Sequence, residues 1–388
     1  EIAGALRRKL ELVERIDLVV ECATDPVAVG QSLGRLAGVR AASGRGARVA
    51  IEFVDGVRAA VECASTDDFG AALWRATGSD EHVAAVIARL IERGVIPDDD
   101  DPRIQPGLDE PAIYRAAGLS FIEPELREDR GEIEAAARGA LPLLIAAADI
   151  RGVLHCHTHY SDGRAAVAEM AEGARVRGWS YIGITDHSQA AFYVGGMTRD
   201  KILAQHEEID ELNARSSDVR ILKGVEADIL ADGRVDYDDE TLAMFDFVVG
   251  SVHSQFAMGE AAMTERVLRA LDNPRLTILG HPTGRILLAR DAYAIDVNAV
   301  IDKAAAVGVA IELNADPRRA DLDWRHLRRA AALGVTIEIG PDAHSVNALD
   351  NVGLGVGLAR KAWVTQAGVL NARSADDVLS FARRRLSR

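Results

Sequence analysis

Residues 151–163, RGVLHCHTHYSDG, hold three histidines and an aspartate directly behind a short apolar run. Alternate residues of a strand face the same side, so His155 and His157 would present their imidazoles together. Asp342 and His344 repeat this spacing towards the other end of the chain. Imidazole and carboxylate groups are typical ligands of first-row divalent metals, so we interpret the segment as part of a metal site.

Seven apolar runs rich in β-branched residues follow one another from residue 149 onward, separated by stretches with helical character. The runs are RGVLHCH, YIGITDH, RILKGVEADI, DFVVGSVHS, LTILGHPTG, VAIELNAD and TIEIGPDAH. Each carries His, Asp, Glu or Asn near its carboxyl end. Repeated strand-then-helix units predict a parallel sheet, and seven units without an obvious edge predict an α/β barrel. The carboxyl ends of barrel strands form the reactive face.

These strand ends and their adjoining loops supply six imidazoles and three carboxylates. The nine expected metal ligands are His155, His157, Asp162, His187, Glu226, His253, His281, Asp342 and His344. One such histidine alone would more often be structural, but their joint occurrence at successive strand ends favours a metal site. Because one ion takes roughly three to six protein ligands, we expect two or three divalent ions.

The donor types also bear on metal identity and on catalysis. Imidazole combined with carboxylate favours Mn²⁺ or Zn²⁺, with Fe²⁺ as a further alternative, over Ca²⁺ or an all-Mg²⁺ cage. Glu226 could bridge two ions about 3.5–4 Å apart. We expect Glu226, His155 and Asp342 to carry the catalytic role.

Other polar residues near these motifs receive weaker interpretations. His159 lies in the loop and is expected to face solvent or substrate. Asp186 could orient a neighbouring imidazole or cap the following helix. His82, His206 and His326 fall in helical stretches and are expected to be surface histidines.

Hydrolysis of a phosphoester is the chemistry that this pattern favours. Clustered divalent ions lower the pKa of water to about 7 and stabilise phosphoryl oxygens. The sequence shows no Ser-His-Asp arrangement or redox motif, and GHPTGR lacks the Lys-Ser/Thr of a phosphate-binding loop. Metal-assisted amide hydrolysis is the rival reaction. Arg285 and Arg318, just beyond strand ends, and Asn314 are expected to contact a substrate phosphate.

The composition of the 388 residues is that of an ordinary globular protein, 48% hydrophobic and 27% charged. A net charge of −15 disfavours a protein that coats nucleic acid, although it leaves a nuclease possible. Three cysteines without a C-x-x-C pair and no apolar run of membrane-spanning length favour a cytoplasmic protein without membrane partners. The chain begins with Glu, and we expect that further sequence precedes it.

The chain is expected to form two or three domains. Residues 1–92 combine the strand-like runs IDLVVEC and RVAIEFV with a helical segment between them. Residues 95–111 are rich in Pro and Asp and predict a solvated loop, with cation binding as the less favoured reading. Residues 93–148 would complete the first module and, through the charged and helical PELREDRGEIEAAARG, lead into the barrel domain at 149–388.

The motifs LHCHTHYSDG, ITDHS, GVEADIL, SVHS, GHPTGRILL, IELNADP and PDAHS resemble the polymerase-and-histidinol-phosphatase (PHP) domain. The most similar version is the one at the carboxyl terminus of bacterial X-family DNA polymerases, and the resemblance covers residues 150–388. It implies a distorted seven-stranded barrel and a trinuclear site that takes the nine residues above, typically with manganese or zinc. Departures from the family pattern are Val153, Asp316 and the pair Gly340 and Pro341.

The N-terminal part resembles the palm and thumb of the same polymerases. GALRRKLELVERIDLVV is similar to the palm stretch with two catalytic aspartates, and GVRAAVECASTDDFGAALWRATGSDEH to the stretch around the third. The matching positions here are Arg15, Asp17 and Ala60, so only one carboxylate survives. Two-metal nucleotidyl transfer needs carboxylates for both cations, so we expect an α+β module without polymerase activity.

The leading hypothesis is therefore a metal-dependent phosphoesterase acting on DNA as a 3′–5′ exonuclease, a 3′-phosphatase or both. Its partner would be single-stranded DNA or DNA 3′ ends. A small-molecule phosphomonoesterase of the histidinol-phosphatase type, acting on a phosphorylated metabolite, is the alternative enzyme. A DNA-binding or scaffold protein with structural metals is the alternative from another class.

Overall fold

The computed structural model describes residues 1–23, 25–45, 47–98 and 104–386, so part of the Asp-rich loop, residues 99–103, lies outside the described residues. The chain divides into two compact units, Glu1–Pro142 and Leu143–Arg388. Within the described ranges, no helix is long and apolar enough to cross a membrane.

The first unit combines a four-stranded sheet with short helices. Its elements are α1 (Gly4–Arg7), β1 (Ile16–Cys22), α2 (Pro26–Leu33), β2 (Val39–Arg45), β3 (Arg48–Phe53), β4 (Arg58–Ser65), α3 (Phe69–Thr77), α4 (Asp80–Glu92), α5 (Glu110–Ala116) and α6 (Glu132–Ala137). The strand order is β1-β4-β3-β2. β1 and β4 run parallel with Asp17 opposite Ala60, and the other two pairs are antiparallel.

His82 corrects the expectation of a surface histidine. The Ser79 hydroxyl caps α4, and His82, Val86 and Leu90 then recur at the four-residue spacing that places them on one buried face. The His82 ring is fully buried, with Glu132 Oε1 2.6 Å from Nδ1 and the Tyr114 hydroxyl 2.8 Å from Nε2. Its polar atoms are therefore satisfied inside the unit.

The second unit is a barrel of seven parallel strands. Its strands are β5 (Gly152–Val153), β6 (Tyr181–Ile184), β7 (Arg220–Asp228), β8 (Phe247–Ser251), β9 (Leu276–Leu279), β10 (Ala310–Asn314) and β11 (Ile337–Gly340). They follow one another in chain order, and a parallel bridge between Cys156 and Ala343 brings the first and last together. The Ala343 carbonyl also accepts the His157 N–H at 2.8 Å. The expected seven-stranded, nearly closed α/β barrel is thus confirmed.

Helices cover the outside of the barrel. They are α7 (Val167–Val176), α8 (Arg199–Arg215), α9 (Asp239–Leu242), α10 (Glu260–Leu271), α11 (Val297–Val307), α12 (Trp324–Ala332), α13 (Val352–Lys361) and α14 (Ala375–Arg383). The strands β6, β8, β9, β10 and β11 are buried along their whole length, as expected for strands covered on both faces. The expectation of a surface His206 is also wrong, because His206 shares the buried face of α8 with Ile202 and Ile209.

Candidate metal centre

The carboxylate of Glu226, near the carboxyl end of β7, lies among imidazoles from neighbouring strand ends. Its Oε1 is 2.9 Å from His281 Nε2 and 3.3 Å from His253 Nε2. Its Oε2 is 2.9 Å from His187 Nδ1 and 3.5 Å from His155 Nε2. The two oxygens face different imidazoles, which is the arrangement that a bridging carboxylate requires.

Asp342 forms a second focus of the site. Its Oδ1 lies 3.3 Å from His157 Nε2 and 3.7 Å from His155 Nε2. His155 and His157, which follow β5, therefore direct their rings at the same carboxylate oxygen. Donor atoms of these three buried residues all lie within 4.8 Å of one another.

Asp162 forms a third focus, supplied by the loop after β5. Its Oδ1 is 3.4 Å from His344 Nε2, 3.6 Å from His187 Nε2 and 3.9 Å from His157 Nδ1. These four residues again offer donor atoms within 4.8 Å, and a further group joins His187, Glu226 and His253. The nine expected ligands are thus brought together, eight of them in three overlapping groups and His281 against Glu226.

The buried imidazole nitrogens test whether these residues fit a metal. His155 Nε2 and both ring nitrogens of His157 are buried and have no hydrogen-bond partner in the described part of the chain. Leaving such polar atoms unsatisfied costs about 1–3 kcal/mol each. Metal coordination would use the lone pair of one nitrogen in each of these rings, so the donor set fits a group of divalent cations.

The protonation states of Glu226 and His157 also suit metal binding. Burial raises the pKa of the Glu226 carboxyl, but the imidazoles of His253, His187 and His155 more than offset this and hold the pKa well below its usual range. Burial, with the neighbouring His344 and His187, lowers the pKa of His157 to about 3. Glu226 is therefore anionic and His157 neutral near pH 7, the forms that coordinate metals.

A surrounding layer of carboxylates orients the imidazoles. Asp228 Oδ1 is 2.7 Å from His253 Nδ1, and Glu312 Oε1 is 2.5 Å from His155 Nδ1. Such partners fix the ring orientation and make the imidazole a better ligand. The sequence analysis missed both residues. The two-residue period could have found them, since Asp228 follows Glu226 on the same strand face and Glu312 precedes Asn314.

Asp186 neither caps a helix nor contacts an imidazole in the described hydrogen bonds. It accepts hydrogen bonds from Thr158 N and Oγ1, at 2.8 and 2.6 Å, from Ser161 Oγ at 2.5 Å, and from Gln205 Nε2 at 2.7 Å. It therefore fixes the loop that carries Asp162. His159, in the same loop, is exposed as expected.

The three residues expected to contact substrate are engaged with protein groups. Arg285 donates to Asp323 at 2.9 Å, and Arg318 pairs with Asp316 at 2.6 Å. Asn314 donates to Asp342 Oδ2 at 3.0 Å, so it lies in the centre itself. Substrate contact by these residues stays a prediction. The guanidinium that the structure places beside the centre is that of Arg319, whose Nε is 3.3 Å from Asp342 Oδ2.

A seven-stranded α/β barrel with histidines and carboxylates along its carboxyl rim defines the class of PHP metal-dependent phosphoesterases, and the PHP domain family matches residues 154–316. The chain is 38% identical to the DNA polymerase/3′-5′ exonuclease PolX of Bacillus subtilis over 98% of its own length and 68% of that protein. The chain therefore belongs to the PolX family, and it is a hydrolase of phosphoester bonds.

Two further likenesses each cover a little over half of this chain. A probable phosphatase of Syntrophotalea carbinolica is 28% identical over 59% of this chain and 94% of its own. The crystal structure of a histidinol phosphate phosphatase from Lactococcus lactis, complexed with zinc, L-histidinol and phosphate, matches with a TM-score of 0.42 at 19% identity. It covers 55% of this chain and 93% of its own.

Proposed function

We propose that this protein hydrolyses phosphoester bonds at DNA 3′ ends, as a 3′–5′ exonuclease, a 3′-phosphatase or both. The observation that carries the proposal is the set of three overlapping donor groups, which include buried imidazole nitrogens without protein partners. Membership of the PolX family supports DNA as the substrate.

The nine residues would hold two or three divalent ions, Mn²⁺ or Zn²⁺, because their donor atoms form three groups, one of which shares His157 with the second group and His187 with the third. Bound there, the ions would lower the pKa of water and offset the charge of a phosphoryl group. Glu226, His155 and Asp342 are all buried, and His155 Nε2 lies 3.5 Å from Glu226 Oε2 and 3.7 Å from Asp342 Oδ1. Arg319 would orient a phosphoryl oxygen by a charge-assisted hydrogen bond.

The first unit would act as an inactive polymerase module. Asp17 lies on β1 opposite Ala60 of β4, so the position that faces the surviving carboxylate holds a methyl group. The Arg15 Nε is 2.7 Å from Asp17 Oδ1, so a guanidinium neutralises the one carboxylate left. All three residues line a cleft of about 1740 Å³, which could still hold DNA.

A small phosphorylated metabolite is the second candidate substrate. The likeness to a probable phosphatase favours this substrate, because the match covers 94% of that protein but only part of this chain. The two candidates share the metal centre and differ in whether a polynucleotide is turned over.

The test is a time course with Mn²⁺ on 5′-labelled single-stranded DNA, with and without a 3′-terminal phosphate. We expect a shortening ladder or loss of the phosphate. The His155→Ala/His157→Ala variant should lose both, together with bound metal. His159→Ala is the matched control, because His159 lies in the same segment but is exposed. Turnover of p-nitrophenyl phosphate without any change to DNA would reject the DNA proposal and favour the metabolite.

A further inference from the structure

The segment between β6 and α8 exposes two adjacent aromatic rings. Phe192 is 82% exposed and Tyr193 60% exposed, and their ring centroids lie 5.9 Å apart with the planes at 85°. Both belong to a single turn of 3₁₀-helix, Phe192–Val194. Large aromatic side chains are costly to leave in water, and a pair of them marks an interaction site.

This segment is fixed to the metal centre at both ends. The segment begins directly after His187, and the N–H of its first residue, Ser188, donates to the Glu226 carbonyl at 2.9 Å. At its other end, the Met197 N–H donates to the His187 carbonyl at 2.8 Å. The Lys201 ammonium ties its middle by donating to the Gly195 carbonyl at 2.7 Å. The aromatic pair is therefore held at the rim by the same backbone that positions two expected ligands.

The charges around the pair indicate what could bind there. Partial burial and the negative charges of Asp228, Glu226 and Asp162 raise the pKa of Tyr193. The Arg290 guanidinium, which also acts on Tyr193, packs 4.2 Å from the centre of the Phe256 ring. A ligand that suits this rim combines an anionic group for the centre with a flat group for the rings.

We infer that Phe192 and Tyr193 form an aromatic platform for the base of the 3′-terminal nucleotide whose phosphoester is hydrolysed, with one ring stacked on the face of the base and the other, at 85° to the first, against its edge. The inference rests on the proposed function and names the feature that selects nucleotide ends over phosphates without a base. A π-face is common to all bases, so the platform would accept any sequence. The polynucleotide phosphate would meanwhile lie between the metal centre and Arg319.

The test compares three substrates with the Phe192→Ala/Tyr193→Ala variant. They are single-stranded DNA with a 3′-phosphate on a normal nucleotide, the same DNA with the 3′-phosphate on an abasic tetrahydrofuran residue, and p-nitrophenyl phosphate. The variant should lose about tenfold in kcat/KM on the first substrate, mainly through KM, because one stacking contact is removed. Hydrolysis of the other two should stay unchanged.

Two further variants separate stacking from other effects. Phe192→Tyr/Tyr193→Phe keeps both ring faces and should retain wild-type kinetics. Val176→Ala removes a similarly exposed apolar side chain at the end of α7. Val176 comes five residues before β6 begins, so it lies at the end of the barrel opposite the metal centre, and its substitution should leave the kinetics unchanged.

Each other outcome overturns the inference. Unchanged kcat/KM on the base-bearing DNA would show that the rings do not read the base. An equal loss on all three substrates would show that they support the centre itself, and a wild-type dimer that becomes monomeric in the variant would make them a subunit interface. If the wild type hydrolyses p-nitrophenyl phosphate but neither DNA, the proposed function itself is rejected. The wild-type reactions alone give that result, without the variant.

Discussion

Glu312 Oε1 lies 2.5 Å from His155 Nδ1, and both side chains are fully buried. The other oxygen of Glu312 accepts the backbone N–H of His281 at 2.5 Å. One carboxylate of β10 thus fixes the ring of an expected ligand that follows β5 and the main chain of an expected ligand that follows β9. It leaves His155 Nε2 directed at Glu226 and Asp342.

Replacing Glu312 by Gln should weaken metal binding by roughly tenfold, because the oriented imidazole loses its anionic partner. Glu338 provides the matched control, since it pairs with Glu312 in register on the next strand and is equally buried. Burial and the Glu312 charge raise the pKa of Glu338, so Gln replaces a neutral acid there and should not change metal affinity. Competition with a chromogenic chelator measures the metal affinity of the Glu312→Gln and Glu338→Gln variants. Equal weakening in the two variants would show a general effect of the barrel interior.

The sequence predicted the seven strands and the nine clustered donors because strand period and strand-end position are local properties. Glu226 and His253 follow apolar runs, and parallel strands must bring their carboxyl ends to one rim. The same reasoning could not separate Arg285 and Arg318 from Arg319. Which guanidinium faces the centre depends on how residues 315–323 fold back over β10, and no periodicity encodes that path.

The buried histidines show a second limit. His82 and His206 lie on amphipathic helices, where a polar residue on the apolar face is buried only if other residues offer it hydrogen-bond partners. The partners of His82 are Glu132 and Tyr114, 50 and 32 residues further along the chain. Local sequence carries no sign of contacts made over such separations.

Metal loading should release about three protons per chain near pH 7.5. Although burial lowers them, neighbouring carboxylates raise the pKa of His155 well above its usual range, that of His253 to about 10 and that of His344 to about 9. These three imidazoles are therefore protonated without metal and must become neutral to coordinate. Metal affinity should consequently rise with pH up to about 10. Titration calorimetry in buffers of different ionisation enthalpy counts the protons, and a heat independent of the buffer would contradict this.

Arg319→Ala should lower kcat/KM on a 3′-phosphate substrate by roughly 10- to 100-fold, the value of one charge-assisted hydrogen bond. Arg220→Ala is the control, because that side chain lies at the amino end of β7, is 49% exposed and pairs with Asp376. Steady-state kinetics with metal content measured in parallel tests the pair. A loss of metal in Arg319→Ala would instead assign the residue to holding Asp342.

Glu110→Gln should destabilise the first unit by about 3 kcal/mol at pH 7, since it leaves the buried Arg127 guanidinium without its charged partner. Burial raises the pKa of Glu110, but Arg7 and Arg127 more than offset this and lower it. The pair therefore stabilises the fold above about pH 4.3, and this is lost as pH falls through the lowered pKa.

Hydrogen exchange of amides in α3 and α4 measures the effect of Glu110→Gln. Its difference from the wild type should shrink in acid, where Glu110 itself becomes neutral. Glu52→Gln breaks an exposed pair with Arg40 and should cost about 0–1 kcal/mol. A pH-independent difference would mean that packing, rather than charge, is lost at Glu110.

Restoring carboxylates beside Asp17 should restore a cation site in the first unit. Asp17 and Ala60 are register partners on adjacent parallel strands, and Arg15 occupies one Asp17 oxygen at 2.7 Å. Arg15→Asp/Ala60→Asp removes the competing guanidinium and adds two acidic groups, the arrangement by which carboxylates hold paired ions.

In the His155→Ala/His157→Ala background, electron paramagnetic resonance should detect about one or two additional Mn²⁺ ions per chain. Ala60→Asp alone should gain less, because the guanidinium still neutralises Asp17. Primer extension by the unaltered chain would contradict the loss of polymerase chemistry from which this prediction follows.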